Sequence, residues 1–179
     1  MSPSESLCAR CARHQRTCCQ DTEIYVTPGD VRRIAAETGR SDFVEFRPPR
    51  DPVYAAVDDD PSWQATVFRP DGTRRVLVQR GDGDCGFLGP QGCTLSASAR
   101  PLVCRLYPFD YTAASIRPQP ANGCPRELLA PGDDLLQVLD MLFADAVRWH
   151  GQLYAEIAED RPAPPPLVAC EVLSVDQAP

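Results

Sequence analysis

The sequence predicts a small α+β fold: one loop-rich domain around a cysteine metal site, with a β-hairpin and a long C-terminal helix. Three observations point there. Eight of the nine cysteines fall into two groups, at residues 8–19 and 85–124. Two strand-like runs flank the turn signal Pro70-Asp71-Gly72-Thr73. Apolar residues then recur at helical spacing through Asp133–Asp160. At 179 residues the chain can bury a core of its own, so a metal need not supply all of its stability.

The elements follow in order. Glu23-Ile24-Tyr25-Val26 is rich in β-formers and reads as a short strand. Thr27-Pro28-Gly29-Asp30 is a helix start: Thr27 caps, Pro28 suits the first helical position, and Asp30 completes a capping box where the helix dipole favours a carboxylate. Val31, Ile34 and Ala35 mark one face, and Gly39 ends the helix. Ser41 to Phe46 reads as a second short helix stopped by Pro48-Pro49, and residues 47–61 as a Pro/Asp-rich surface loop that includes Asp58-Asp59-Asp60. Trp63–Arg69 and Arg74–Arg80 read as the two strands of the hairpin. Gly81-Asp82-Gly83-Asp84 delivers Cys85, and the turn between Gly89 and Gly92 places Cys85 and Cys93 on either side of a tight reversal. Leu135, Leu136, Leu139, Leu142, Phe143, Ala146, Val147, Leu153, Tyr154 and Ile157 carry the long helix, bounded by Gly132-Asp133 and Pro162. Residues 1–161 thus form the cysteine-cluster domain, and 162–179 a proline-rich tail.

Composition excludes several roles. The net charge is −7, and all 18 basic residues are arginine, with no basic run. That is a poor electrostatic match for nucleic acid or anionic lipid. No apolar stretch is long enough to span a bilayer, and Met1–Arg10 lacks the apolar region of a signal peptide. The expected compartment is the cytoplasm, where thiols stay reduced and clustered cysteines mean metal or redox chemistry rather than a disulfide framework.

The candidate metal ligands are Cys8, Cys11, Cys18, Cys19, Cys85, Cys93, Cys104 and Cys124. C-x2-C at Cys8 and Cys11 is a bidentate clip, and the turn between Cys85 and Cys93 resembles a knuckle that collects ligands from both sides. Adjacent side chains diverge, so Cys18 and Cys19 serve two centres, or one ligates while the other packs. Cys124 precedes a proline, as cluster cysteines often do. Cys170, in an apolar Leu-Val-Ala context, reads as a packed residue and is left out of the set. His14 reads as a solvated loop histidine and His150 as structural.

Four thiolates on a divalent ion leave a charge of −2, which is costly without compensation. Arg100 and Arg105 are placed to supply it at the second group, and Arg10, Arg13 and Arg16 at the first, with Tyr107, Pro108 and Phe109 as an apolar wall. The plainer reading leaves these arginines solvated and the aromatics in the core.

With these residues in view, the chain resembles the YkgJ-type CxxCxxCC cysteine-cluster family of zinc- or iron-chelating domains. The resemblance runs over Cys8, Cys11, Cys18 and Cys19, the Thr27-Pro28-Gly29-Asp30-Val31 helix start, Cys85-Gly86-Phe87-Leu88, Cys93-Thr94-Leu95, and Arg100 through Phe109. Six residues separate Cys11 from Cys18, where the short form of the signature has two. The resemblance implies a metal site, not a particular reaction.

Thiolate-rich sites suit zinc and iron–sulfur clusters alike, and the scarcity of histidine near the second group leans toward iron–sulfur. Eight thiols would serve two four-ligand centres, a cluster plus a zinc, or one centre with the remainder nearby. Besides a metal-binding protein, two readings stay open: a thiol redox enzyme cycling Cys18-Cys19, or a zinc-stabilised adaptor whose long helix meets a protein partner. No phosphate-binding glycine loop, dinucleotide fingerprint or Ser/His/Asp arrangement is visible, which weighs against an autonomous enzyme.

Overall fold

In a computed structural model the described residues are 6–14, 17–55, 60–121 and 123–160. Cys170, the tail 162–179, Arg16, Asp58, Asp59 and the side chain of His14 lie outside them. The elements are α1 (Leu7–His14), α2 (Pro28–Thr38), β1 (Val44–Arg47), α3 (Pro61–Val67), β2 (Arg74–Leu77), β3 (Leu88–Gly89), β4 (Gly92–Cys93), α4 (Leu102–Leu106), β5 (Phe109–Thr112), β6 (Ser115–Pro120), α5 (Leu135–Val138) and α6 (Phe143–Glu159). The strands form three separate antiparallel pairs, β1-β2, β3-β4 and β5-β6. The fold is α+β with a long C-terminal helix.

The start of α2 is built as the local signals require. The Thr27 side chain accepts from the Asp30 N–H, the Asp30 carboxylate accepts from the Thr27 N–H, and Gly39 closes the helix at φ 67°. Asp30 also reaches outside its helix. Its Oδ1 accepts from the Leu102 N–H at 3.0 Å, tying α2 to the first turn of α4. That bond positions the helix that carries Cys104.

Two apolar clusters make the core, and extended residues 23–26 divide them. Ile24 and Val26 enter one cluster with Ile34, Phe43, Leu77, Cys85, Phe87 and Leu95. Tyr25, pointing the other way as strand alternation demands, enters the second with Val67, Leu102, Leu106, Phe109, Ala146, Leu153 and Ile157. Helix α4 straddles the divide. Leu102 and Leu106, four apart, face the second cluster, while Cys104 packs against the first. Helix α6 lays Ala146, Leu153 and Ile157 on α4 from the far side.

Three expectations are corrected. The Trp63–Arg80 hairpin does not form. Residues 61–67 are helical because Asp60 caps Trp63 N–H at 3.1 Å and Pro61 takes the first helical position. The Pro70-Asp71-Gly72-Thr73 turn is present, with Gly72 at φ 78°, but it joins a helix to β2. Ser41–Phe46 is not a helix, since Val44–Arg47 is the strand that pairs with β2, Val44 opposite Leu77. Asp60 is no solvated loop residue: it is buried and also accepts from the Ala113 N–H and the Tyr154 hydroxyl.

The C-terminal helix is interrupted. Asp134 caps α5, the chain turns with Asp140 at φ 54°, and α6 starts at Phe143. His150 has the structural role expected, with Nε2 2.7 Å from the Thr112 carbonyl.

A buried charge group braces the sheet edge. Glu23 accepts from Arg47, from Arg74 Nη2 at 2.7 Å and from the Arg50 N–H at 3.1 Å. Burial pushes its carboxyl up, but the Arg50 N–H and the two guanidinium groups outweigh that and hold it below the usual glutamate range. The folded chain therefore binds fewer protons here than the unfolded chain. The stability gained is present above the ordinary glutamate value and is lost as pH falls through the depressed one. Denaturant titrations of Glu23→Gln and wild type should show a gap that is widest near neutrality and narrows below about pH 4. A gap independent of pH would contradict this assignment.

Candidate metal centre

Four segments far apart in sequence bring the cysteines together. Ser6 caps α1 through a 3.2 Å bond from the Ala9 N–H, and the helix puts Cys8 and Cys11, three residues apart, on one side. The tip of the β3-β4 hairpin packs directly on that helix. Gly92 sits at φ 96°, and a Cβ there would stand 3.5 Å from the Cys8 Cβ. Cys93 is the next residue, so Cys8 and Cys93 are neighbours across the helix–hairpin contact.

Cys19 lies in an irregular turn held by Gln20 and Thr17, whose hydroxyl accepts the Cys19 N–H at 3.1 Å. The Cys19 carbonyl accepts from the Cys85 N–H at 2.7 Å, so the two backbones run side by side. Cys19 interacts electrostatically with Cys8, Cys11, Cys85, Cys93 and Cys104. Together with the Cys8–Cys93 neighbourhood, it brings the two sequence groups into one place.

A second neighbourhood gathers around Tyr107. Its hydroxyl lies over Gly123, where a Cβ would be 1.8 Å away, and it hydrogen-bonds the Cys124 thiol. Cys11 and Cys18 lie within electrostatic reach of the same phenol, and Cys124 interacts in turn with Cys8 and Cys11. Arg10, from α1, donates to the Leu128 carbonyl at 2.7 Å and so anchors the helix beside the Cys124 segment. The eight cysteines thus divide spatially into Cys19, Cys85, Cys93 and Cys104 on one side, and Cys11, Cys18 and Cys124 on the other. Cys8 lies between them.

Hydrogen-bond donors are directed at sulfur at two positions. The Phe87 N–H donates to the Cys85 sulfur and the Leu95 N–H to the Cys93 sulfur, each two residues ahead of its cysteine. The Arg100 side chain also bonds the Cys93 sulfur, and its charge reaches Cys8 and Cys19. Arg100 thus makes a sulfur contact of the kind expected of it. Arg105 and Arg10 act differently. Arg105 donates to the carbonyls of Arg100 (2.7 Å) and Ser98, which fixes the loop that presents Arg100. Of the aromatic wall, Tyr107 faces the cysteines, whereas Phe109 is core and packs on Phe143.

As neutral thiols these groups resist ionisation. Burial pushes Cys85 up to about 11 and raises Cys93, Cys104 and Cys124. Cys19 is raised by its hydrogen bond to Cys18 first and by burial second. Among the described residues no three Cys, His, Asp or Glu side chains are already closed around one point as an ion cage. Gathering four sulfurs on one ion would thus require side-chain movement. None of the described cysteines is in a disulfide, and the donor set is uniformly soft, which fits zinc or iron and does not fit calcium or magnesium.

Sequence reasoning missed α1, although Ser6 three residues ahead of Ala9 signals its cap. It also missed the sulfur-directed N–H groups, which depend on backbone path alone.

A family model, described as "CxxCxxCC: Putative zinc- or iron-chelating domain", matches residues 7–125, about two thirds of the chain. The matched span starts at α1 and ends one residue past Cys124, so it contains every cysteine of the site. No curated protein and no solved structure gives a significant match.

Proposed function

From the premise that the chain belongs to the CxxCxxCC family of zinc- or iron-chelating domains, we propose that it holds iron, as an iron–sulfur cluster, or zinc through cysteine thiolates drawn from both sequence groups. One observation carries the reading. Cysteines from four distant segments are neighbours, with two backbone N–H groups and the Arg100 guanidinium directed at their sulfurs. Such donors lower the charge cost of a thiolate-bound metal and tune it. Cys19, Cys85, Cys93 and Cys104 would form the principal four-ligand set. Cys8, Cys11, Cys18 and Cys124 would complete a second centre or support the first. The metal would supply Lewis-acid or electron-carrying chemistry, and the chain supplies the ligands, compensating dipoles and a partly buried position.

An all-sulfur donor set suits zinc and iron–sulfur alike, and the scarcity of histidine near the second group tips this reading toward iron–sulfur. Among the described residues no helix is long and apolar enough to cross a membrane. Anaerobic purification followed by metal and acid-labile sulfide analysis tests the proposal. Coloured protein with sulfide supports iron–sulfur, and colourless protein with stoichiometric zinc supports the zinc form. Metal-free protein with reversible Cys18-Cys19 oxidation would replace both with the thiol redox reading, which the hydrogen bond between Cys18 and Cys19 makes the natural competitor.

A further inference from the structure

Beside the cysteines lies a cavity of about 560 Å³, in the size range of small-molecule sites. Its walls are aromatic: Tyr25, Trp63 and Tyr154 form a run of edge-to-face contacts at 5.1 and 6.4 Å, and Tyr54, Tyr107 and Tyr111 line it as well. Cys18 and Cys104 also line it, so the cavity abuts the candidate metal centre. The metal reading uses Cys18 and Cys104 on one wall of this space and assigns nothing to the aromatic walls opposite.

The charged groups of the lining differ in how well they are satisfied. Asp60 accepts from the Trp63 and Ala113 N–H groups and the Tyr154 hydroxyl. Glu23 accepts from Arg47, Arg50 and Arg74. Neither carboxylate lacks a donor, so neither calls for a cationic ligand. Arg74 differs. Its side chain is 2% exposed, one nitrogen pairs with Glu23, and Tyr54 stacks on the guanidinium at 4.5 Å. Its Nε–H is buried without an acceptor. A buried donor in that condition carries a desolvation penalty, and a ligand oxygen that displaces the cover of the guanidinium removes it. The guanidinium is also the group best matched to a carboxylate.

We propose that this cavity is a binding site for a small planar carboxylic acid, its ring between the tyrosines and Trp63, its carboxylate on Arg74, and its body against Cys18 and Cys104. The site would place an organic acid in contact with the cysteine centre. Its formation depends on Arg74 and the aromatic walls, not on which metal is held.

The test is equilibrium binding to the full chain as purified, by calorimetry and ligand-observed NMR, with benzoate as probe. Benzyl alcohol and benzylamine serve as neutral and cationic counterparts. Saturable one-to-one binding of benzoate is expected, with the other two about tenfold weaker or worse. Arg74→Gln should remove the preference for the acid. Because Arg74 is also paired with Glu23, Thr22→Phe provides a second variant: Thr22 lines the cavity, and the larger side chain should block benzoate while leaving the ion pair intact. No saturable binding at millimolar benzoate, equal binding of all three probes, or undiminished binding to Thr22→Phe would each overturn the proposal.

Discussion

Cys19→Ser should lower the bound metal more than any other single cysteine change, and with it the thermal stability. Cys19 interacts with Cys8, Cys11, Cys85, Cys93 and Cys104 and shares a backbone bond with Cys85, so it joins the sequence groups. Serine keeps the size but not the soft donor. Changing even a residue that supports a ligand costs roughly 10–100-fold in metal affinity, and losing a ligand should cost at least that. Cys104→Ser and Cys11→Ser should also lower metal content and stability, whereas Cys170→Ser should leave metal content almost unchanged. Metal stoichiometry measured on the four purified variants checks the order. Equal loss in all four would show that the ligand boundary is drawn in the wrong place.

Gly29→Ala should be the most damaging change away from the cysteines. A Cβ at Gly29 would lie 2.1 Å from a Glu156 carboxylate oxygen. That carboxylate is held by the Thr27 hydroxyl, by Arg33 at 2.7 Å and by Gln152 at 2.7 Å. One methyl group would therefore push α6 or its carboxylate off the start of α2, disturbing the segment whose Asp30 fixes α4 and Cys104. Overpacking together with weakened charge-assisted bonds gives roughly 2–4 kcal/mol, a fall in melting temperature of about 5–15 °C. The cause can be isolated. In a Glu156→Ser background the same Gly29→Ala change should cost much less, because the obstructing carboxylate is gone. Strictly additive effects of the two substitutions would contradict the steric account.

What the sequence disclosed was local. The Thr27–Asp30 capping box and the Gly39 cap depend on residues within one or two turns, and both are built as the residues imply. The reversal between Cys85 and Cys93 was equally local, set by Gly89 and Gly92. Partner choice was not. Arg74–Leu77 has the composition of a strand, but its partner is Val44–Arg47, some thirty residues upstream, not the segment just before the turn. There, Asp60 and Pro61 outweighed the strand-forming residues of 63–69 and started a helix. The leucine periodicity of 135–157 runs unbroken through a real interruption at Asp140, which leaves Leu142 exposed. The cysteines were recognisable one by one, but the place of Cys19 among five others arises from α1, the β3-β4 hairpin and α4 closing around it. Arg100 and Arg105 looked interchangeable in sequence, and only the fold directs one at sulfur and the other at backbone carbonyls.

The centre of this account is that cysteine sulfur from both sequence groups holds the metal. X-ray absorption at the edge of whichever metal the anaerobically purified chain contains tests this most directly. The predicted result is a first shell of sulfur alone, at about 2.3 Å, that loses sulfur in Cys19→Ser. A first shell dominated by nitrogen or oxygen, or one unchanged in Cys19→Ser, would contradict it.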